Sequence, residues 1–339
     1  MMKLNLMKQF FDTVDQDWQS PIADEIASKW LKQVDAVRCV RASANFAFDV
    51  KTPARDYVLR FNHASEREPE FIAAELEYIE HLAERGIRAA KPVRSLTGNF
   101  AESVSTPMGV FHSVLFEAMT GAHLEFNALS AEQLQLWGRT LAQVHNASEG
   151  LQISGRPNWA DQIAMARQII PHSETAAWDE LSAVEVRLAA LPVSKTNFGL
   201  LHYDFELDNI RWSDSAIGVF DFDDCAYHWL VVDIANTLMS ELFDDRVERV
   251  DLDDARFQTF LDGYRSARWI DDDDLRHIPL FLRLDNLINF ARVYRAIADG
   301  PLEDEPQWMT DLRNKLGRAL DQYREGFRDH PIRDWLAQT

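Results

Sequence analysis

The sequence predicts an α+β chain in two lobes. A small lobe of mixed strands and helices spans residues 1–118, and a larger, mainly helical lobe spans 119–339. Two observations carry this. Runs rich in Val, Phe and Tyr are concentrated before residue 118. From about Leu129 onward helical patterns dominate, interrupted mainly by the segment around residues 200–225. The change of character falls near residues 118–121. At 339 residues, 46% of them hydrophobic, the chain is long enough to bury a sizeable core.

In chain order, "PIADEIASKWLKQVD" at 21–35 reads as a helix. "AVRCVRASANFAFDVKT" and "DYVLRFN" read as two strand-type runs separated by a Pro-containing turn at "TPAR". Residues 70–85 place Ile72, Leu76, Ile79 and Ala83 at helical spacing, and Gly86 ends that helix. "FHSVLFEAMTG" is a strand broken at Gly121. "NIRWSDSAIGVFD" reads as a hairpin, with Ile210 and Trp212 alternating with polar residues before an "SDS" turn. Folded about Asp214 and Ser215, it sets Asn209 opposite Phe220 or Asp221. Asp271–Asp274 read as the acidic start of the helix "LRHIPLFLRLDNLINFARVYRAI".

A formal net charge of −20 makes nucleic acid a poor partner, because backbone phosphates require Lys and Arg. The acidic surplus, including "RWIDDDDLRHIP" and "ELFDDRVERVDLDD", suits a cationic partner; solubility and solvated helix ends explain it as well. No apolar stretch is long enough to span a bilayer, so no membrane partner is expected. The N-terminus meets Asp and Gln too early for a signal peptide. Cys39 and Cys225 are the only cysteines, and a reducing, cytoplasmic setting is the expectation.

The chemistry concentrates in "LLHYDFELDNIRWSDSAIGVFDFDDC". Carboxylates crowded in this way repel one another unless a cation sits among them. The hairpin brings the Asn209 amide and the Asp221 carboxylate together at its open end. Hard oxygen donors of this kind suit Mg²⁺, which commonly takes one or two protein carboxylates plus phosphate oxygens and water. Asp204, on the loop entering the hairpin, can accept or orient the proton of a hydroxyl nucleophile. His202 would brace that loop.

These residues resemble the signature of the aminoglycoside phosphotransferase and choline kinase-like family, whose fold is protein kinase-like. The first motif here is His202-Tyr203-Asp204-Phe205-Glu206-Leu207-Asp208-Asn209, and the second is Phe220-Asp221-Phe222-Asp223. The resemblance implies a bilobal kinase-like fold with ATP held between the lobes. It implies Asp204 as catalytic base, Asn209 and Asp221 as Mg²⁺ ligands, and Asp233 bonded to the catalytic loop. "WGRTLAQVHNAS" resembles the family's Gly-x2-Leu-Ala-x2-His helix. Arg60 stands where kinases place a phosphate-binding Lys. Glu75 lies on an apolar helix face, either paired with Arg60 or solvated at its edge. "VLFEAMTG" resembles the hinge whose backbone, at Glu117 and Met119, would bond adenine. The nucleotide loop "RASANFAF" has no glycine, and Ser43 and Asn45 are its candidate donors. Tyr203 and Asp208 replace frequent glycines. Asp223, Asp224, Tyr227 and His228 follow the metal Asp and are candidate contacts for a small-molecule hydroxyl acceptor. A local cap or hydrogen bond is the alternative for Asp224.

Two other readings compete. "GVFDFDDC" also looks like the first motif of haloacid dehalogenase-type phosphatases, with Asp221 as nucleophile and Asp223 as acid. Those enzymes typically need a downstream Lys within an α/β sheet, whereas Lys315 is the only Lys after Asp221 and the intervening sequence reads as helices. A nucleotide-binding pseudokinase, or a protein Ser/Thr kinase-like member, is the other alternative, motivated by Arg60 and the glycine-free loop.

Overall fold

In the computed structural model, which describes residues 1–213, 216–242 and 251–329, the strand-type runs of the first third form one antiparallel sheet. Its strands are β1 (Ala36–Ala42), β2 (Phe46–Lys51), β3 (Asp56–His63), β4 (Ala101–Thr106) and β5 (Gly109–Glu117), in the order β1-β2-β3-β5-β4. In sequence, residues 36–52 read as one run. They form two strands instead, because the chain turns at Ser43–Asn45, closed by the Ser43 N–H donating to the Asn45 C=O at 3.1 Å. Alternation puts Phe46, Phe48, Phe61 and Phe111 on the buried side. They pack around Phe10 of α1 (Leu4–Phe11), whose ring lies 4.1 Å from Phe46 and 5.5 Å from Phe61.

The helix expected over 21–35 is shorter. Helix α2 (Pro21–Ala27) starts where the Ser20 hydroxyl accepts from the Ile22 N–H at 3.3 Å, and it stops at Ser28. Helix α3 (Pro69–Glu84) carries Glu75, and Gly86, at φ +83, follows its end. The chain divides into two units. The first comprises Met1–Glu80, Ala89–Met119 and Ala296–Arg313. The second comprises His81–Arg88, Thr120–Arg295 and Asn314–Thr339.

The second unit is mainly helical: α4 (Ala131–Ser148), α5 (Trp159–Ile169), α6 (Thr175–Ala190), α7 (Leu230–Leu242), α8 (Ala255–Arg265), α9 (Asp272–Leu275), α10 (Ile278–Ile297) and α11 (Gln307–Asp329), the last beginning in the first unit. Two short ribbons interrupt them. Strand β6 (Phe198–Leu201) pairs with β9 (Ala226–Trp229), and β7 (Ile210–Trp212) pairs with β8 (Ile217–Val219). Every ladder between these strands is antiparallel, so Asp221 does not end a strand of a parallel α/β sheet. That removes the dehalogenase-type reading. The β7–β8 turn at Asp214 and Ser215, and residues 243–250 of the acidic stretch, lie outside the described residues. Among the described residues no helix is long and apolar enough to cross a membrane.

Helices α4 and α8 cross on glycine. A Cβ at Gly138 would stand 2.0 Å from the Phe260 carbonyl oxygen, and one at Gly263 would stand 2.0 Å from that of Gln135. Backbone cannot yield as a side chain can, so Gly138→Ala is expected to destabilise the protein by about 3 kcal/mol. A urea midpoint unchanged from wild type would show that these helices can part freely.

Candidate active site

Strand β6 delivers the chain into the loop His202–Asn209, and α7 holds that loop from beneath. Asp233, in the first turn of α7, is fully buried. Its carboxylate accepts from the backbone N–H of His202 at 3.1 Å and of Tyr203 at 2.7 Å, and from His145 Nε2 of α4 at 3.0 Å. One turn along, the Asn236 amide donates to the Tyr203 C=O at 3.0 Å. Turning successive N–H groups onto one carboxylate bends the chain sharply, and Tyr203 sits at φ +72, a region costly for any residue but glycine. The tyrosine has a countervailing gain: its ring is buried, and its hydroxyl donates to Gln162 Oε1 at 3.4 Å.

His202 links this loop to the end of the hairpin. Its Nδ1 accepts from the Asp204 N–H at 3.2 Å, so Nε2 carries the proton and donates to the Phe220 C=O at 3.0 Å. The Phe220 N–H in turn donates to the Asn209 C=O at 3.0 Å, which places Phe220, of the two expected candidates, opposite Asn209. The Asn209 side-chain amide donates to Asp204 Oδ2 at 2.7 Å and to the Asp204 C=O at 2.9 Å. Asp221 stands at φ +62, a second non-glycine residue held in the left-handed region. The segment after it is held by buried Arg156, which donates to the Cys225 C=O at 2.7 Å and the Asp223 C=O at 2.6 Å.

The donor set fits a divalent ion carried in with a nucleotide. Because the Asn209 NH₂ faces Asp204, its Oδ1 is the atom left to ligate, and the Asp221 carboxylate is a second hard oxygen donor. Among the described residues no three His, Cys, Asp or Glu side chains are grouped to hold a metal ion. A sparse site of this kind suits Mg²⁺, which keeps waters and takes phosphate oxygens rather than a full protein cage.

The candidate acceptor residues separate by environment. Asp224 forms a forked pair with Arg292 of α10, at 3.0 and 3.1 Å, rather than a local cap. The Tyr227 hydroxyl is engaged by the Ile153 backbone, accepting its N–H at 2.5 Å and donating to its C=O at 3.2 Å. Asp223 is buried. His228 is fully buried, neither ring nitrogen has a hydrogen-bond partner among the described residues, and burial pushes its imidazole down to about 3. Glu206, half-buried, is pushed up to about 8 by burial and by the neighbouring carboxylates of Asp204, Asp285, Asp208 and Glu241. Buried Asp285 of α10 rises to about 7, chiefly through burial, with Asp204 and Asp224 adding to the rise and Arg292 opposing it.

In the first unit, Arg60 of β3 donates to both oxygens of Glu75 at 2.8 and 2.5 Å, both side chains being buried, so Glu75 is paired rather than solvated. The guanidinium also lies 5.3 Å from the centre of the Phe116 ring. In the turn 43–45, Asn45 is buried and Asn62 donates to the Ala44 C=O at 3.2 Å. The Ser43 N–H already closes that turn, so Ser43 would meet phosphate through its hydroxyl rather than its backbone. The Glu117 N–H donates to the Lys91 C=O at 2.9 Å, so of its two backbone groups the candidate for adenine would be the carbonyl. Met119 is half-buried.

The phosphotransferase enzyme family model matches residues 38–270, most of the chain and both motifs. The chain belongs to the phosphotransferase enzyme family. It is an enzyme, a kinase-type phosphotransferase of α+β, protein kinase-like fold. Amicoumacin kinase of Bacillus subtilis (strain 168) is 26% identical over 312 residues, covering 88% of this chain and 92% of that one. Among solved structures, amicoumacin kinase hAmiN in complex with AMP-PNP, Ca²⁺ and Ami matches with a TM-score of 0.75 at 24% identity, over 96% of this chain and 97% of that one. A microcompartment-associated aminopropanol kinase matches with a TM-score of 0.66 at 20% identity, over 90% and 94%.

Sequence reasoning missed several residues that surround the candidate site. Asn236 lies one helical turn beyond Asp233, and that spacing was a usable signal. Asp285 and Arg292 stand seven residues apart on one face of α10. Glu206 lies inside the first motif. Arg156 carries no local signal, since the Asp223 and Cys225 carbonyls it meets lie far along the chain.

Proposed function

We propose that this phosphotransferase moves the γ-phosphate of ATP to a hydroxyl of a small, amine-bearing molecule with Mg²⁺ as its metal. The observation that carries the reading is the hydrogen-bonded pair of Asp204 and Asn209, with Asp221 two residues beyond the register partner of Ile210. Relatives named as kinases of amicoumacin, aminopropanol and homoserine support a small-molecule acceptor, and a relative solved with AMP-PNP and Ca²⁺ supports a nucleotide and a divalent ion. Bound between phosphate oxygens and the side chains of Asn209 and Asp221, the ion would supply neutralising charge.

The chain's own groups do the rest. Asp204 accepts or orients the proton of the acceptor hydroxyl, and its bond from Asn209 fixes the carboxylate for that task. His202 and Asp233 hold the loop. Arg60, fixed by Glu75, offers a permanent cation to nucleotide phosphate. The Glu117 carbonyl and the Met119 backbone serve adenine. Because phosphoryl transfer demands positioning and charge more than covalent chemistry, this set suffices. Asp221→Ala is expected to weaken Mg²⁺-dependent ATP binding by roughly tenfold or more, read by titration calorimetry with and without Mg²⁺. An unchanged affinity would remove Asp221 from the metal site.

A further inference from the structure

We propose that the N-terminal segment belongs to the nucleotide site: the Met2 backbone N–H is a positioning group that sets two N–H donors of the glycine-free turn 43–45 for phosphate. This rests on the kinase reading above, in which that turn meets the nucleotide, and goes beyond it by naming what sets the turn. The Met2 N–H donates to the Ser43 C=O at 2.7 Å, and the buried Asn62 side chain donates to the Ala44 C=O at 3.2 Å. The Ser43 N–H donates to the Asn45 C=O, so all three carbonyls of the turn are engaged. In a planar trans peptide the C=O and the N–H that follows it point in opposite directions. Holding the Ser43 and Ala44 carbonyls against Met2 and Asn62 therefore turns the Ala44 and Asn45 N–H groups away from them. Among the described residues neither of these N–H groups has an acceptor. Two successive N–H groups form a donor pair for an anion. Asn45 is buried, where an unpaired N–H is costly, and a phosphate oxygen relieves that penalty. The turn needs no glycine, because none of residues 43–45 has a positive φ.

Met2 can hold Ser43 because α1 is anchored on the sheet. Met2, Leu4, Met7 and Phe10 are buried, and the Phe10 ring lies 4.1 Å from that of Phe46, the first residue after the turn. The Phe11 ring lies 5.5 Å from that of Trp308, and Lys3 pairs with Asp299 at 3.1 Å. Trp308 and Asp299 belong to the stretch Ala296–Arg313 that returns to the first unit. Both members of the Lys3–Asp299 pair are exposed, so that pair adds little and apolar burial does the anchoring. A hairpin turn is closed by its own bond. A carbonyl held from outside the hairpin fixes the direction of the turn as well, and direction is what a phosphate requires.

The test is nucleotide binding by the full chain with no acceptor present. Mg²⁺-ATP is titrated by calorimetry, and adenosine, which has the base and no phosphate, by competition. Met2→Pro removes the N–H, whereas Met2→Ala removes the side chain and keeps the N–H. Wild type and both variants carry the same short N-terminal tag, so that Met1 is retained. Expected is an affinity for Mg²⁺-ATP roughly tenfold weaker in Met2→Pro than in Met2→Ala, with adenosine bound equally by the two. By linkage, a bond that raises the affinity for ATP is itself strengthened by ATP. The Met2 amide of the wild-type chain should therefore exchange with solvent roughly tenfold more slowly under saturating Mg²⁺-ATP than under saturating adenosine, read by NMR. That measurement decides the matter should Met2→Pro fold poorly. Equal ATP affinity in the two variants, a parallel loss of adenosine, or exchange at Met2 indifferent to the phosphates overturns this inference and leaves the kinase reading standing. A wild-type chain that does not bind Mg²⁺-ATP overturns both.

Discussion

Asp204→Ala is expected to lower phosphoryl transfer by about a thousandfold, while the affinity for Mg²⁺-ATP stays within roughly threefold of wild type. In the proposed mechanism the carboxylate takes or orients the proton of the acceptor hydroxyl, so the effect should fall on kcat. The loop itself persists. Asn209 keeps its bond to the Asp204 C=O at 2.9 Å, and Asp233 keeps both backbone N–H groups of the loop. Asp204→Asn sharpens the experiment, since an amide oxygen can still accept from Asn209 but cannot take a proton. The same loss in both variants assigns the role to the carboxylate's basicity. Near-normal turnover in either would remove Asp204 from the chemistry, whatever the nucleotide affinity.

How much of this was legible in the sequence depended on whether an interaction is local. The β7–β8 ribbon was readable because alternation and a turn signal lie within a dozen residues, and its register followed from the pairing to within one residue. The Arg60–Glu75 pair was readable because a charge on an apolar helix face demands a partner. Helix α1 and the return of Ala296–Arg313 to the first unit had no local signal, since both depend on partners far away in the chain. Tyr203 shows the same limit at one residue. A tyrosine in a loop reads as an ordinary buried ring, and its left-handed backbone is set by an aspartate thirty positions on. Likewise Asp224 reads as a local cap in sequence, and only the packing of α10 sets Arg292 opposite it. Spacing within an element is written into the sequence; the face that another element presents to it is not.

Asp233→Ala is expected to produce the opposite signature from Asp204→Ala: a large loss of stability as well as of turnover. The fully buried carboxylate is the shared acceptor for the His202 N–H, the Tyr203 N–H and His145 Nε2. Each donor left unsatisfied in the interior costs about 1–3 kcal/mol, and breaking the whole set should cost about 3–5 kcal/mol. Asp233→Asn retains the shape but offers one acceptor oxygen in place of two, and its NH₂ then faces a donor. It should lose about half as much, roughly 2 kcal/mol. Urea unfolding measures both, with an unchanged m-value showing that the same structure is being unfolded. Transfer should be lost even in water, where the variants remain folded, because without Asp233 the His202 and Tyr203 N–H groups lose the acceptor that bends the chain at φ +72 and the loop can relax toward ordinary backbone. A stability loss under about 1 kcal/mol would mean that the loop is held elsewhere, and the left-handed turn would then need another cause. Deletion of Asp204 should therefore cost the fold little and deletion of Asp233 much, and that difference would separate the group proposed to meet the acceptor from the group that holds it in place.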